Sequence, residues 1–262
     1  MIIFKIQRLF VLKLVTLFLS SLIISNIHAQ VDSIISGVYK IDGNSKLQGR
    51  TSNLSMLNVH VSTLAAGKTN HPPRALMDRE ELILVKDGPL TITINDSSKI
   101  LGSGSIALII AGDAQSFTNA SDKSVSYYVI GFTAKTPVNI NRGRSSGGSF
   151  VKDWNELTVK KTAKGESRPV FDRPSSMFER FEVHATTLNA SQESHAPHQH
   201  PQEEIMFLMN GNVTMHIANE NIKATEGSAI FLRPDVLHNL TNTGSEPCWY
   251  YAIKWYGSAT EK

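Results

Sequence analysis

Ser194–Gly211 reads SHAPHQHPQEEIMFLMNG. In it, His198 and His200 are two apart, Glu204 follows four residues after His200, and Gly211 comes seven after Glu204. A strand alternates its side chains, so an extended 198–200 turns both imidazoles to one face. A turn at Pro201–Gln202 then brings Glu204 round to meet them. A later stretch carries Gly227, Pro234, His238 and Asn242, and a strand there would supply a further imidazole. Three neutral imidazoles and one carboxylate suit a divalent first-row metal.

This spacing resembles the cupin superfamily. Its first motif, G(X)5HXH(X)3–4E(X)6G, is matched from the HXH onward by His198, His200, Glu204 and Gly211, while Ser191–Glu193 stand where the leading glycine is expected. Its second motif, G(X)5PXG(X)2H(X)3N, is matched by Gly227, His238 and Asn242, with Arg233 in the proline place and Asp235 in the glycine place. The resemblance implies that His198, His200, Glu204 and His238 are the metal ligands. It also implies one divalent transition metal, with Mn, Fe, Ni and Zn not distinguished.

The chain repeats itself. LSMLNVHVSTLAA aligns with FERFEVHATTLNA, setting His60 opposite His184. Glu81 to Gly88, Gly88 to Gly104 and Gly104 to Asn119 reproduce the intervals Glu204–Gly211, Gly211–Gly227 and Gly227–Asn242. Short alternating runs broken by Gly, Asn and Asp predict strands at 57–64, 81–85, 90–94, 106–110 and 125–132. The same pattern returns at 181–188, 204–209, 213–218, 229–232 and 249–255. No long 3.6-residue period appears. The expected fold is all-β, with two cupin barrels of the double-stranded β-helix or jelly-roll type. The expected divisions are a signal peptide at 1–29, a first barrel at 30–135, a linker at 136–176 and a second barrel at 177–262.

The halves differ in chemistry. Glu81 and Gln115 occupy the places of Glu204 and His238, but Arg74 or Ala75 and Leu76 or Met77 face the imidazole pair. The first barrel is therefore expected to lack a metal, and to be structural or to bind a small polar molecule through Arg74, Arg79 and Glu80. Alternation turns Glu80 and Glu203 away from the cavities, toward an outer face where they would be solvated or paired. His195, three residues before His198, is the candidate catalytic residue. Its counterpart His71 survives in the half without the pair, which favours a structural part for both. Met206, Leu208, Phe231 and Leu237 are expected to wall the cavity.

At the start of the chain, Lys5 and Arg8 precede an apolar run, and Ala29 precedes Gln30. This reads as a secretory signal cut after Ala29, and so as an exported protein, periplasmic or secreted. The segment holds three of the 26 basic residues and no acid, so the mature chain carries 23 of each sign. The overall pI of 8.9 belongs mostly to the precursor, and there is no electrostatic case for nucleic acid. No membrane partner is expected after cleavage. Cys248 is the only cysteine, so no intrachain disulfide forms.

Fold alone does not choose an activity. The residues support a metalloenzyme acting on a small polar or anionic molecule, or else a non-catalytic ligand-binding or scaffold protein with a structural metal. A weaker alternative is a ureidoglycine-aminohydrolase-like enzyme, whose ligand set differs from this one. The resemblance implies a homodimer through sheet edges as its default assembly.

Overall fold

Glu203–Asn210 shows how the layers arise. Every residue in this strand except the last is buried. Met206 and Leu208 belong to one apolar cluster, while Ile205, Phe207 and Met209 belong to another. A strand covered on both faces reads as a near-continuous apolar run, as this one does. The computed structural model describes residues 32–257, and all of them fall in one compact unit. The expected signal segment lies outside the described residues. Among them, no helix is long and apolar enough to cross a membrane.

Each half is a sandwich of a large and a small sheet, as the sequence predicts. The first barrel pairs a six-stranded sheet with a four-stranded one, and the second pairs a seven-stranded sheet with a three-stranded one. The two large sheets pack on each other, so three cores form. One lies inside the first barrel, around Ile83, Leu90, Ile92 and Phe117. One lies inside the second, around Met206, Leu208, Met215 and Leu240. The largest lies between the barrels. There Phe132 of the first barrel meets Phe178, Phe181 and Trp255 of the second edge-to-face, with centroids 5.6, 5.3 and 5.4 Å apart. Burying a side chain of this kind is worth about 1.5–3 kcal/mol.

The stretch expected as a linker is built into both barrels. Phe150–Lys152 pairs with Ile106–Ile109 of the first barrel. Gly165–Arg173 pairs with Arg180–Leu188 of the second and takes a register shift at Pro169, the residue that cannot donate to the ladder. Conversely, Gly37–Lys40, which falls within the expected bounds of the first barrel, pairs with Ser228–Leu232 of the second. Each half thus lends its leading strand to the other. Polar composition hid Phe150–Lys152, which lies at a sheet edge where one face and one ladder edge meet water, and Gly165–Arg173, which lies one strand in and pairs at its outer side with Lys160–Thr162.

The repeat extends to single hydrogen bonds. Asn242 Nδ2 donates to the carbonyls of Leu188 and Glu246, both at 2.9 Å, and Asn119 Nδ2 donates to those of Leu64 and Lys123 at 3.0 and 2.7 Å. The motif asparagine therefore fastens the small sheet to the large one. Gly211 has φ 97°, and a Cβ there would lie 2.5 Å from Cys248 Cβ, so its place admits glycine alone.

Candidate metal centre

His198 and His238 face each other across an antiparallel bridge, with His198 N donating to His238 O at 3.1 Å and His238 N to His198 O at 2.9 Å. Extended backbone through 198–200 sets His200 on the same face. The main-chain oxygen of His200 accepts from Asp235 N at 2.8 Å, tying this segment to the turn before His238. Asp235 has φ 58°, a left-handed value that aspartate tolerates better than most residues. It stands where the motif expects glycine, and Gly112, at the matching place in the first half, has φ 88°. The bend at Pro201–Gln202 then delivers Glu204, whose side chain points into the barrel with Met206 and Leu208.

These turns bring the three imidazoles together, with ligand atoms within 4.8 Å of one another. Glu204 Oε2 lies 3.0 Å from His200 Nε2 and 3.6 Å from His238 Nε2. His238 is 1% exposed and Glu204 4%. His200 Nδ1 is 3.1 Å from Gln202 O, and His238 Nδ1 is 2.8 Å from Val236 O. A carbonyl only accepts, so both Nδ1 atoms donate, and in the neutral rings both Nε2 atoms carry lone pairs. Two imidazole lone pairs therefore face one carboxylate oxygen. His238 Nε2 and His198 Nδ1 are buried without a hydrogen-bond partner.

Burial alone would raise the Glu204 pKa. When protonated at Nε2 as well, His200 and His238 donate to it, and with the positive charge of Lys254 these contacts outweigh burial and hold the carboxyl well below the usual range. Burial, joined by repulsion from His195, His238 and His200, pushes His198 down to about 4. His198 is thus kept neutral at physiological pH, the state in which imidazole binds metal.

The candidate catalytic residue His195 lies beside this group. Its ring meets that of His198 edge-on at 4.1 Å and that of His238 at 6.2 Å. Its Nδ1 donates to Ala196 O at 3.0 Å, and His71 repeats that contact with Pro72 O at 2.8 Å. His195 therefore sits at the exposed rim, outside the converging set.

Other expectations are corrected. Phe231 belongs to the core between the barrels and Leu237 is 40% exposed, so neither walls the cavity. Glu203 and Glu80 are 0% exposed, because the face they point to is covered by the other barrel. Glu203 accepts from Thr51 Oγ1, Ser52 N, Asn53 N and Trp255 Nε1, and Glu80 accepts from Ser176 N. Arg79 pairs with Asp78.

Lys254 went unnoticed in the sequence. It stands cross-strand from both Glu182 and Glu204, on the same sheet face as Glu204. Only the pairing of three strands reveals that row. A cleft of about 880 Å³ opens elsewhere, near Lys40, Tyr128 and Glu226. None of the four converging residues lines it, so chemistry rather than size places the site at the histidines.

A family model for the cupin domain matches residues 185–254, a span that holds all four of those residues. This segment is a cupin domain. Solved structures extend the likeness of fold to both halves of the chain. Oxalate decarboxylase from Lactobacillus farciminis, solved as a formate complex, superposes with a TM-score of 0.62 at 11% identity, over 87% of this chain and 88% of its own. Protein Ylba from E. coli gives 0.61 at 13% identity, over 87% and 94%. Salicylate 1,2-dioxygenase from Pseudoaminobacter salicylatoxidans, a point mutant in complex with gentisate, gives 0.54 at 11% identity, over 76% and 68%. At such identities the likeness is one of fold. No curated protein matches this chain in sequence.

Proposed function

We propose that the second barrel holds one divalent transition metal through His198, His200, Glu204 and His238, and that the protein is an enzyme acting on a small anionic molecule. One observation carries the metal. Two neutral imidazole lone pairs and a carboxylate oxygen converge at 3.0 and 3.6 Å, an arrangement that a cation between them stabilises. The main-chain carbonyls of Gln202 and Val236 hold the two tautomers, the usual supporting contact for a ligating histidine.

Bound there, the metal would act as a Lewis acid on a carbonyl or carboxylate oxygen. The chain supplies the rest. His195 offers its free Nε2 at the rim, where a proton could be taken or given. Lys254, beside Glu204, favours a negatively charged ligand. The apolar interior around Met206, Leu208, Leu240 and Tyr250 closes the barrel below the site and limits substrates to small ones. The small carboxylate held by one structural neighbour, formate in complex with oxalate decarboxylase, agrees with this class. We also propose export, on the charge and apolarity of the first 29 residues. The same packed interior favours a second reading, in which the metal is structural and the barrel binds without turnover.

Metal analysis of the purified protein tests the assignment. One ion per chain is expected, and His200→Ala should empty the protein without unfolding it, because the barrel cores are apolar and independent of the ion. Two tightly held ions, or full occupancy in His200→Ala, would overturn it.

A further inference from the structure

The mouth of the first barrel repeats the geometry of the second with other side chains. Arg74 pairs directly with Gln115, as His198 does with His238. Leu76 O accepts from Gly112 N at 2.8 Å, as His200 O accepts from Asp235 N. The four ligand places are therefore held by Arg74, Leu76, Glu81 and Gln115, an unsuitable set for a cation.

The set is nonetheless polar and incompletely paired. Gln115 Nε2 donates to Glu81 Oε2 at 2.6 Å, which leaves Gln115 Oε1 buried with no partner on a residue only 2% exposed. A buried acceptor without a donor costs about 1–3 kcal/mol. His60, on the same face, feels the Glu81 charge. Its Nδ1 lies 3.1 Å from Asn58 Oδ1, so Nδ1 is the donor and Nε2 a further acceptor. Arg74 is exposed on its two-residue strand and has no partner among the described residues. Residues directly opposite on antiparallel strands point to the same face, with Cβ atoms about 5 Å apart. An unpaired guanidinium and an amide oxygen without a donor thus belong to residues directly opposite each other on one face.

We propose that the mouth of the first barrel is a metal-independent binding site for a small zwitterion. Its ammonium or N–H end satisfies Gln115 Oε1 and Glu81, and its carboxylate pairs with Arg74. A purely anionic ligand would meet the Glu81 charge, and a purely cationic one would meet Arg74. A ligand with both ends, separated by one or two carbons, opposes neither. Arginine binds a carboxylate in a two-pronged geometry that lysine cannot match.

The test is a titration of the full-length 15N-labelled protein with glycine, acetate and methylammonium, following the Gln115 side-chain amide by NMR. Glycine should shift that resonance and saturate, with the two half-ligands at least about tenfold weaker. Arg74→Gln should weaken glycine about tenfold or more by that resonance, and Gln115→Met should do the same by isothermal calorimetry, since it lacks the amide. Arg74 is exposed, so its variant keeps the test decisive if Gln115→Met does not fold. His200→Ala should leave the titration unchanged, which separates this site from the second barrel. No shift with glycine, equal affinity for acetate or methylammonium, or unaltered binding by Arg74→Gln would overturn the proposal.

Discussion

At the scale of single residues, the imidazoles divide by what holds each ring. His200 and His238 commit Nδ1 to carbonyls beneath them and aim Nε2 inward. His195 commits Nδ1 to Ala196 O and keeps Nε2 at the rim. This sets a clear expectation for His195→Ala. Metal content should stay at the native level, while His200→Ala loses it. If the protein turns over a substrate, kcat should fall with the ion still present. Metal lost from His195→Ala as completely as from His200→Ala would mean the ligand set is wrong.

At the scale of elements, the turn before His238 positions the site. Asp235 is held at φ 58° while its N–H reaches His200 O. Glycine adopts that conformation freely, and for a β-branched residue it costs about 1–2 kcal/mol. Asp235→Gly should therefore keep native stability and metal content. Asp235→Val should lose about that much in denaturant unfolding and weaken metal binding, since the turn carries both His200 and His238. Equal stability of the two variants would show that the turn is not strained.

At the scale of the whole molecule, each barrel sends one buried glutamate to the segment leading into the other. Glu203 has four donors from three residues of the leading arm and Trp255. At the place of Trp255 the first half has Phe132, which donates nothing. Glu80 Oε2 is left without a partner, as is Ser176 Oγ. Burial pushes the Glu80 carboxyl up, against the hydrogen bonds from Ser175 and Ser176. A raised carboxyl keeps a proton that the unfolded chain has released. Its stability is complete below the ordinary glutamate value of about 4.3 and is lost as pH rises through the folded value. Glu80→Gln should remove that loss, so the variant gains on the native protein as pH goes from 5 to 8. Glu203→Gln puts an amide against four donors and should cost about 1–3 kcal/mol at both pH values. Urea unfolding at the two pH values checks this. An unchanged pH slope in Glu80→Gln would remove Glu80 as its source.

The spacing of His198, His200, Glu204 and His238 was enough to bring out the converging set, because strand alternation and one turn fix which side chains share a face. The intervals between glycines and asparagines exposed the repeat, since Gly211 and Asn242 each fill a place that local geometry dictates. Alternation also told correctly that Glu80 and Glu203 point away from the cavities. It could not tell what covers that face, and water was the wrong answer, because a second sheet packs there. The same reason hid the edge strands within 136–176, the role of Phe231 and the row that sets Lys254 beside Glu204. Whether Arg74 or Ala75 takes the place of His198 was likewise open until the register set Arg74 against Gln115. Periodicity along one chain gives direction, and only the packing of distant strands decides what each direction meets.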